Sequence, residues 1–391
     1  MNVRQKIKFT CFTLEGLNSL ATVLYFNYIY FFMRDVFGFD NKRNLALAAF
    51  LGFIYLVASW QAGKFAQRYG YFFSLKLGFI TMAISLAAGL IFTSLFEEIF
   101  AATFVTIGMC LIWPTIEAMV SDGEDAVGLP RMVGMYNVTW AVTNAVAYFV
   151  GGALIEKCGY KVILWLPLAT MFVMLALTCW LQRHAAEMAT ETLNKSHVPS
   201  APHQPASPQA KTFLKMAWLA NPFAYIAIQT LIAVIPGIAH KFNLSPMFAG
   251  FICTLWCFVR LGAFVALWHW TKWHYKFRWL ATSFAILILS FATILMAPNL
   301  VVLIVAQIFF GGAIGLIYYS SLFYSMDAGD TRSEHGGIHE AAIGAGNCIG
   351  PAVGALSLQF LPQFQNSGAI AVSVLLLCGF AGLVAIWKTA R

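Results

Sequence analysis

Four ionisable residues stand inside long apolar runs of this chain: Glu15, Glu117, Arg260 and Glu340. Facing lipid at a helix centre, each would cost about 2.5–3.5 kcal/mol, so all four must face protein or a watery cavity. A carboxyl in such a place can take up and release a proton, whereas an arginine keeps its proton and needs an anion beside it. Glu15 shares a helix face with Asn18, Thr22 and Tyr25, which makes it a proton-coupling or substrate residue; the plainer reading is an ion pair near the inner surface. Glu340 follows His339, and the pair could relay protons or form a gate hydrogen bond. The same segment superficially suggests a zinc-protease helix, but position 343 is Ile where a second His is needed, so no metal is expected. Cys253 and Cys257 share a face without a His pair and read as packing residues. Arg260 has Trp256 and Phe264 one turn away, and its charge partner could be Glu15, Glu117 or Glu340. Glu117, five residues before Asp122, is expected near the inner water boundary, snorkelling or forming a gate.

Polar and aromatic stripes surround these charges. One run places Asn137, Trp140, Asn144 and Tyr148 along a face, another Asn221, Tyr225 and Gln229, a third Tyr318 and Tyr319; Asn347 lies two turns beyond Glu340. The expected substrate residues are Asn18, Tyr25, Trp113, Asn137, Trp140, Asn144, Gln229, Trp256, Tyr318 and Asn347. Amides and aromatic plates with few charges suit a neutral polar or amphipathic organic solute, and suit inorganic anions or dicarboxylates poorly. Any single aromatic carries little weight, since 16% of the chain is Phe, Trp or Tyr.

The elements that must position these residues are membrane helices. The 391 residues are 60% hydrophobic and 10% charged, against about 25% charged in a soluble domain, so lipid must be the solvent. Twelve runs of spanning length occur, at 9–32, 45–62, 73–93, 99–120, 132–155 and 162–181, then 213–239, 247–270, 279–297, 299–326, 336–361 and 367–387. An all-α membrane protein follows, with a first six-helix bundle over 1–182, a polar Pro- and Ser-containing cytoplasmic linker over 183–212, and a second bundle over 213–391. Most of the 24 Lys and Arg fall in the loops on the side of the two termini, which puts both termini in the cytoplasm and the protein in the cell (inner) membrane. The net charge of +8 is then a matter of topology and not of nucleic-acid binding. The first run is too long for a signal peptide and carries Glu15, and the eight cysteines give no secreted disulfide framework.

The two halves repeat. Trp113, Asp122 and Asp125 recur at the same spacing as Tyr318, Asp327 and Asp330, and Gly134–Gly152 overlays Gly336–Gly354 without a gap, setting Asn137 opposite His339. With the segment Gly63-Lys-Phe-Ala-Gln67-Arg68-Tyr-Gly70 after the second run, the chain resembles the major facilitator superfamily over essentially its whole length. That segment keeps the glycines and the Arg of the family's cytoplasmic signature but has Gln67 for its Asp. Gly346-Asn-Cys-Ile-Gly350-Pro351-Ala-Val-Gly354 is similar to a family pattern usual in the fifth span of exporters, here in the eleventh, and Gln307, Gly311 and Gly315 are similar to its fourth-span pattern.

The resemblance implies a gate built on Gly63, Arg68, Gly70, Asp122, Asp327, Gly350 and Pro351. It also implies two bundles that rock about a midplane site. The expected function is secondary transport of a small organic solute, such as a sugar or related metabolite, coupled to protons through Glu15, Glu340 and His339, with symport favoured. The alternatives are a proton-coupled exporter of amphipathic compounds, a passive facilitator or a membrane sensor. The expected partners are a small-molecule substrate, protons and the lipid bilayer, with no cofactor, no nucleic acid and a monomeric state. No nucleotide-binding loop, channel filter or enzyme motif occurs in the sequence.

Overall fold

The computed structural model describes residues 3–121, 128–192, 208–327 and 334–390, and these are helical nearly throughout. The first half holds α1 (Val3–Phe37), α2 (Asn41–Tyr69), α3 (Tyr71–Ile91), α4 (Leu95–Ser121), α5 (Gly128–Cys158) and α6 (Val162–Thr192). The second holds α7 (Pro208–Lys241), α8 (Pro246–Cys253), α9 (Leu255–His269), α10 (Phe277–Met296), α11 (Leu300–Asp327), α12 (Glu334–Phe360) and α13 (Ser367–Thr389). Because α8 and α9 run on as a single crossing, the described residues make twelve helical passes, of which eleven are long and apolar enough to cross a membrane.

The exception is α1, and the reason lies in what it buries. Glu15, Asn18, Ser19, Thr22 and Asn27 lower its apolar content, yet all are shielded inside the bundle. It still runs the full depth of the protein. Near its start Lys8 donates to the Val120 carbonyl at the end of α4, and near its finish Asp35 accepts from the Tyr160 hydroxyl between α5 and α6.

The packing repeats as the sequence does. In the first half α1 packs on α5 and α6, α3 on α4 and α6, and α2 on α4; in the second α7 packs on α12 and α13, α10 on α11 and α13, and α9 on α11. Between halves, α2 lies along α12 and α5 along α8 and α9, again related pairs. Close approach at these seams requires glycine: a Cβ on Gly52 would overlap the backbone of Asn347 and Cys348, and one on Gly152 the backbone of Pro246. These contacts, with Lys42 donating to Gln359 at 2.9 Å, draw the halves together at the end of the bundle away from the termini.

Two elements differ from the sequence expectation. The run 247–270 is broken at Thr254, whose hydroxyl donates back to the Gly250 carbonyl at 2.6 Å, a side-chain bond that competes with the helical ladder. The expected linker, 183–212, is entered by helix from both ends, since α6 continues to Thr192 and α7 starts at Pro208. Ala185, Ala186, Glu187, Met188 and Ala189 are good helix formers and carry α6 past the apolar run. Residues 193–207 lie outside the described residues, as do Asp122, Asp125, Asp330 and the side chain of Asp327.

Candidate functional site

A cavity lies between the two halves and takes its wall from both. On α1 the wall is Thr22, Phe26 and Tyr30 at a spacing of four, with Val23 and Asn27 beside them. On α4 it is Thr106, Met109, Trp113 and Glu117, and on α5 Tyr136, Trp140 and Asn144, each set along one face of its helix. The second half answers with Tyr225 and Gln229 of α7, Trp256 and Arg260 of α9, Tyr318 of α11, and Glu340 and Asn347 of α12. At one end of the wall Gln229 donates to the Tyr30 hydroxyl across the halves at 2.8 Å.

Arg260 is 2% exposed, and no hydrogen bond or ion pair joins it to Glu15, Glu117 or Glu340. Its expected acidic partner is replaced by two indole rings: the guanidinium carbon sits 4.4 Å from the ring centroid of Trp140 and 4.9 Å from that of Trp256. An arginine held against indole faces gains cation–π attraction of about 0.5–2 kcal/mol while its N–H edges stay free. Here Nε and Nη2 are buried without a partner. The cage is braced on both sides. Trp140 stacks on Tyr318 at 5.5 Å and 12°, and Trp256 meets Phe310 edge to face at 5.7 Å.

The backbone that carries Arg260 is fixed by the Gln307, Gly311 and Gly315 stripe of α11. Gln307 donates to the Ile252 carbonyl at 2.9 Å, beside the break at Thr254. A Cβ on Gly311 would overlap the Trp256 carbonyl, and one on Gly315 would come within 2.5 Å of the Ala263 Cβ. The stripe therefore lets α11 lie directly on the turn of α9 that bears Trp256 and Arg260.

The acids divide into two groups. Glu117 and Glu340 line the cavity, Glu117 one turn beyond Trp113 on α4. Glu340 accepts from the Tyr55 hydroxyl of α2, a bond between the halves, and its other titratable neighbours are Glu117, Tyr136, Tyr225, Tyr318 and Cys110. His339 is turned edge-on to Tyr318 at 6.1 Å with its Nε2 buried and unpartnered. Glu15 is off the wall: it is 0% exposed, accepts from the Ser19 hydroxyl at 2.8 Å, and has Tyr136, Trp113 and Glu117 beside it.

Of the expected substrate residues, Trp113, Trp140, Asn144, Gln229, Trp256, Tyr318 and Asn347 come together on the wall. Asn18, Tyr25 and Asn137 do not; they are at most 3% exposed, and they stand on neighbouring faces of α1 and α5. Sequence reading missed Asn27, Tyr30, Tyr55 and Tyr136. Spacing could have found two of them, since Tyr30 continues the series Thr22, Phe26, and Tyr136 begins the series Trp140, Asn144. Gly63, Arg68 and Gly70 lie away from the cavity, at the turn between α2 and α3, where Gly70 takes a φ of 93° and Arg68 covers the Tyr69 ring at 5.4 Å. Gly350 and Pro351 lie within α12, where Gly350 abuts the Ile226 carbonyl of α7.

Solved transporters share this fold. A POT family transporter in complex with a thioalcohol-conjugated peptide matches with a TM-score of 0.76 at 10% identity, over 98% of this chain and 96% of that one. The human organic anion transporter MFSD10 matches with a TM-score of 0.69 at 14% identity, over 98% and 100%. A bacterial homologue of the human lysosomal transporter Spinster, inward-facing and occupied, matches with a TM-score of 0.70 at 14% identity, over 100% and 98%. At these identities the likeness is one of fold. The sequence has no significant match among curated proteins. The family model of the Major Facilitator Superfamily matches residues 9–332, most of the chain, and with the twelve-pass duplicated bundle around a shared cavity it establishes that this multi-pass membrane protein belongs to the major facilitator superfamily of secondary transporters.

Proposed function

We propose that this transporter carries a small organic solute through the cavity between its halves, coupled to protons through Glu340, His339 and Glu15, with Glu117 as the acid near both glutamates and symport as the direction. The observation that carries the reading is the bond from the Tyr55 hydroxyl to Glu340, which ties α2 to α12 on the wall of the cavity. A hydrogen bond to a carboxylate is about twice as strong as one to a neutral group, so a proton arriving on Glu340 loosens the clasp between halves. Proton uptake and movement of the halves are thereby linked through one side chain. The halves rock on the linker of residues 183–212, the protein acts as a monomer, and the termini face the cytoplasm of the cell (inner) membrane, in keeping with the bias of Lys and Arg.

Organic solutes suit the wall, which alternates amides (Asn27, Asn144, Gln229, Asn347) with aromatic plates. The similar structures include proteins whose names refer to peptides, 5-aminolevulinic acid and organic anions. The density of aromatic rings also favours an amphipathic solute over a sugar, and export of such a compound by proton exchange is the second reading. The test is transport by the purified protein in liposomes. A pH difference across the membrane drives accumulation in the wild type, and Glu340→Gln or Glu15→Gln abolishes accumulation while solute exchange persists. Undiminished accumulation in both variants contradicts the coupling assignment.

A further inference from the structure

The cavity wall holds buried donors that are not paired with the acceptors around them. Arg260 Nε and Nη2 and Trp256 Nε1 are buried without a hydrogen-bond partner, and both residues line the cavity. Against these donors the wall offers one buried unpartnered acceptor, Asn347 Oδ1. A buried polar group left unpaired is costly, and more so when it is charged, so such a set calls for an acceptor that arrives with the ligand.

The two free nitrogens of Arg260 are the informative ones. Nε and Nη2 lie along the same edge of the guanidinium plane, and that edge donates two parallel N–H bonds to the two oxygens of a carboxylate. The guanidinium carbon lies over the rings of Trp140 and Trp256, at 4.4 and 4.9 Å, contacts that hold the group in place without using its N–H edge. The absence of an ion pair with Glu15, Glu117 or Glu340 keeps that edge available. The Trp140 ring that Arg260 lies over is stacked on Tyr318, which continues into Phe264, so aromatic surface gathers around the guanidinium.

We infer that Arg260 is the anchor for a carboxylate on the transported solute, and that the solute is an organic monocarboxylate with an aromatic or similarly flat apolar body. The inference rests on the reading of the cavity as the transport site. It replaces the neutral solute expected from residue types alone, because those types do not reveal that Arg260 lacks an acidic partner. A single guanidinium fork takes one carboxylate. No second guanidinium or ammonium lines the cavity among the described residues, so a second carboxylate would lack a partner there.

The experiment uses two probe acids, 3-phenylpropionate and N-acetyltryptophan, each beside its neutral carboxamide, with binding to the purified full-length protein read by calorimetry and thermal shift. The wild type is expected to bind at least one acid at least about tenfold more tightly than its amide, the scale of one charge-assisted contact. Arg260→Lys, which keeps the charge and removes the fork, is expected to lose that preference while still unfolding cooperatively. Equal binding of acid and amide by the wild type overturns the inference without any variant, as does failure of both acids to bind, or retention of the preference in Arg260→Lys. Exchange of the labelled acid in liposomes separates this result from the coupling reading. Exchange that a pH difference fails to drive leaves the carboxylate anchor standing and removes the proton.

Discussion

Glu15 and Arg260 are both charged residues buried inside membrane helices, at 0% and 2% exposure, yet their surroundings assign them different work. Glu15 sits behind the cavity wall, held by Ser19 of its own helix. Arg260 is on the wall, carried by α9, caged by indoles from α5 and α9, and free along one edge. Burial marks each as functional, and each keeps an unpartnered atom, but Arg260 lines the cavity while Glu15 stands behind it, which tells a ligand-facing charge from one that faces the protein's own framework.

The largest effect that would break the comparison is in probe binding. Arg260→Gln is expected to weaken the preferred carboxylate probe about tenfold or more, and Glu15→Gln to change it little. Next comes the stripe that seats α9. Gly311→Ala forces a methyl onto the Trp256 carbonyl and is expected to destabilise by about 1–3 kcal/mol, read as a fall in unfolding temperature with weakened probe binding. Gly312→Ala, one residue away with nothing within 4 Å of a new Cβ, is its control and is expected to lie within about 0.5 kcal/mol of wild type. The cage itself is tested by Trp140→Leu, which removes one cation–π face and is expected to cost about 0.5–2 kcal/mol of carboxylate binding. Smallest is Ser19→Ala, which removes the hydroxyl from Glu15; a stability loss of about 1 kcal/mol without change in probe affinity sharpens the contrast between framework and wall.

Much of the fold was legible because lipid imposes it. Runs of spanning length located every pass, and the repeated aromatic and aspartate spacing at Trp113 and Tyr318 announced the duplication that the packing repeats. The break at Thr254 was hidden, since the apolar run continues through it and the competing bond runs from a hydroxyl to its own helix. Within the site, helical spacing exposed faces but not their rotation. Asn137 and Tyr136 are neighbours in sequence, and only packing decides that Tyr136, Trp140 and Asn144 face the cavity while Asn137 is buried. Gln307, Gly311 and Gly315 could be picked out as a stripe, but the Ile252 and Trp256 carbonyls against which they lie could not. The partner of Arg260 was the least legible feature of all. Three acids were available in sequence, and the structure chose none of them, because Trp140 reaches it from another helix in the other half of the chain.

The most direct test is one binding series on a single preparation: the affinity of N-acetyltryptophan for wild type, Arg260→Lys and Glu15→Gln, measured by calorimetry under the same conditions. The account predicts a loss of at least about tenfold for Arg260→Lys and near wild-type affinity for Glu15→Gln. Unchanged affinity in Arg260→Lys, or a loss in Glu15→Gln as large as the one at Arg260, would contradict it.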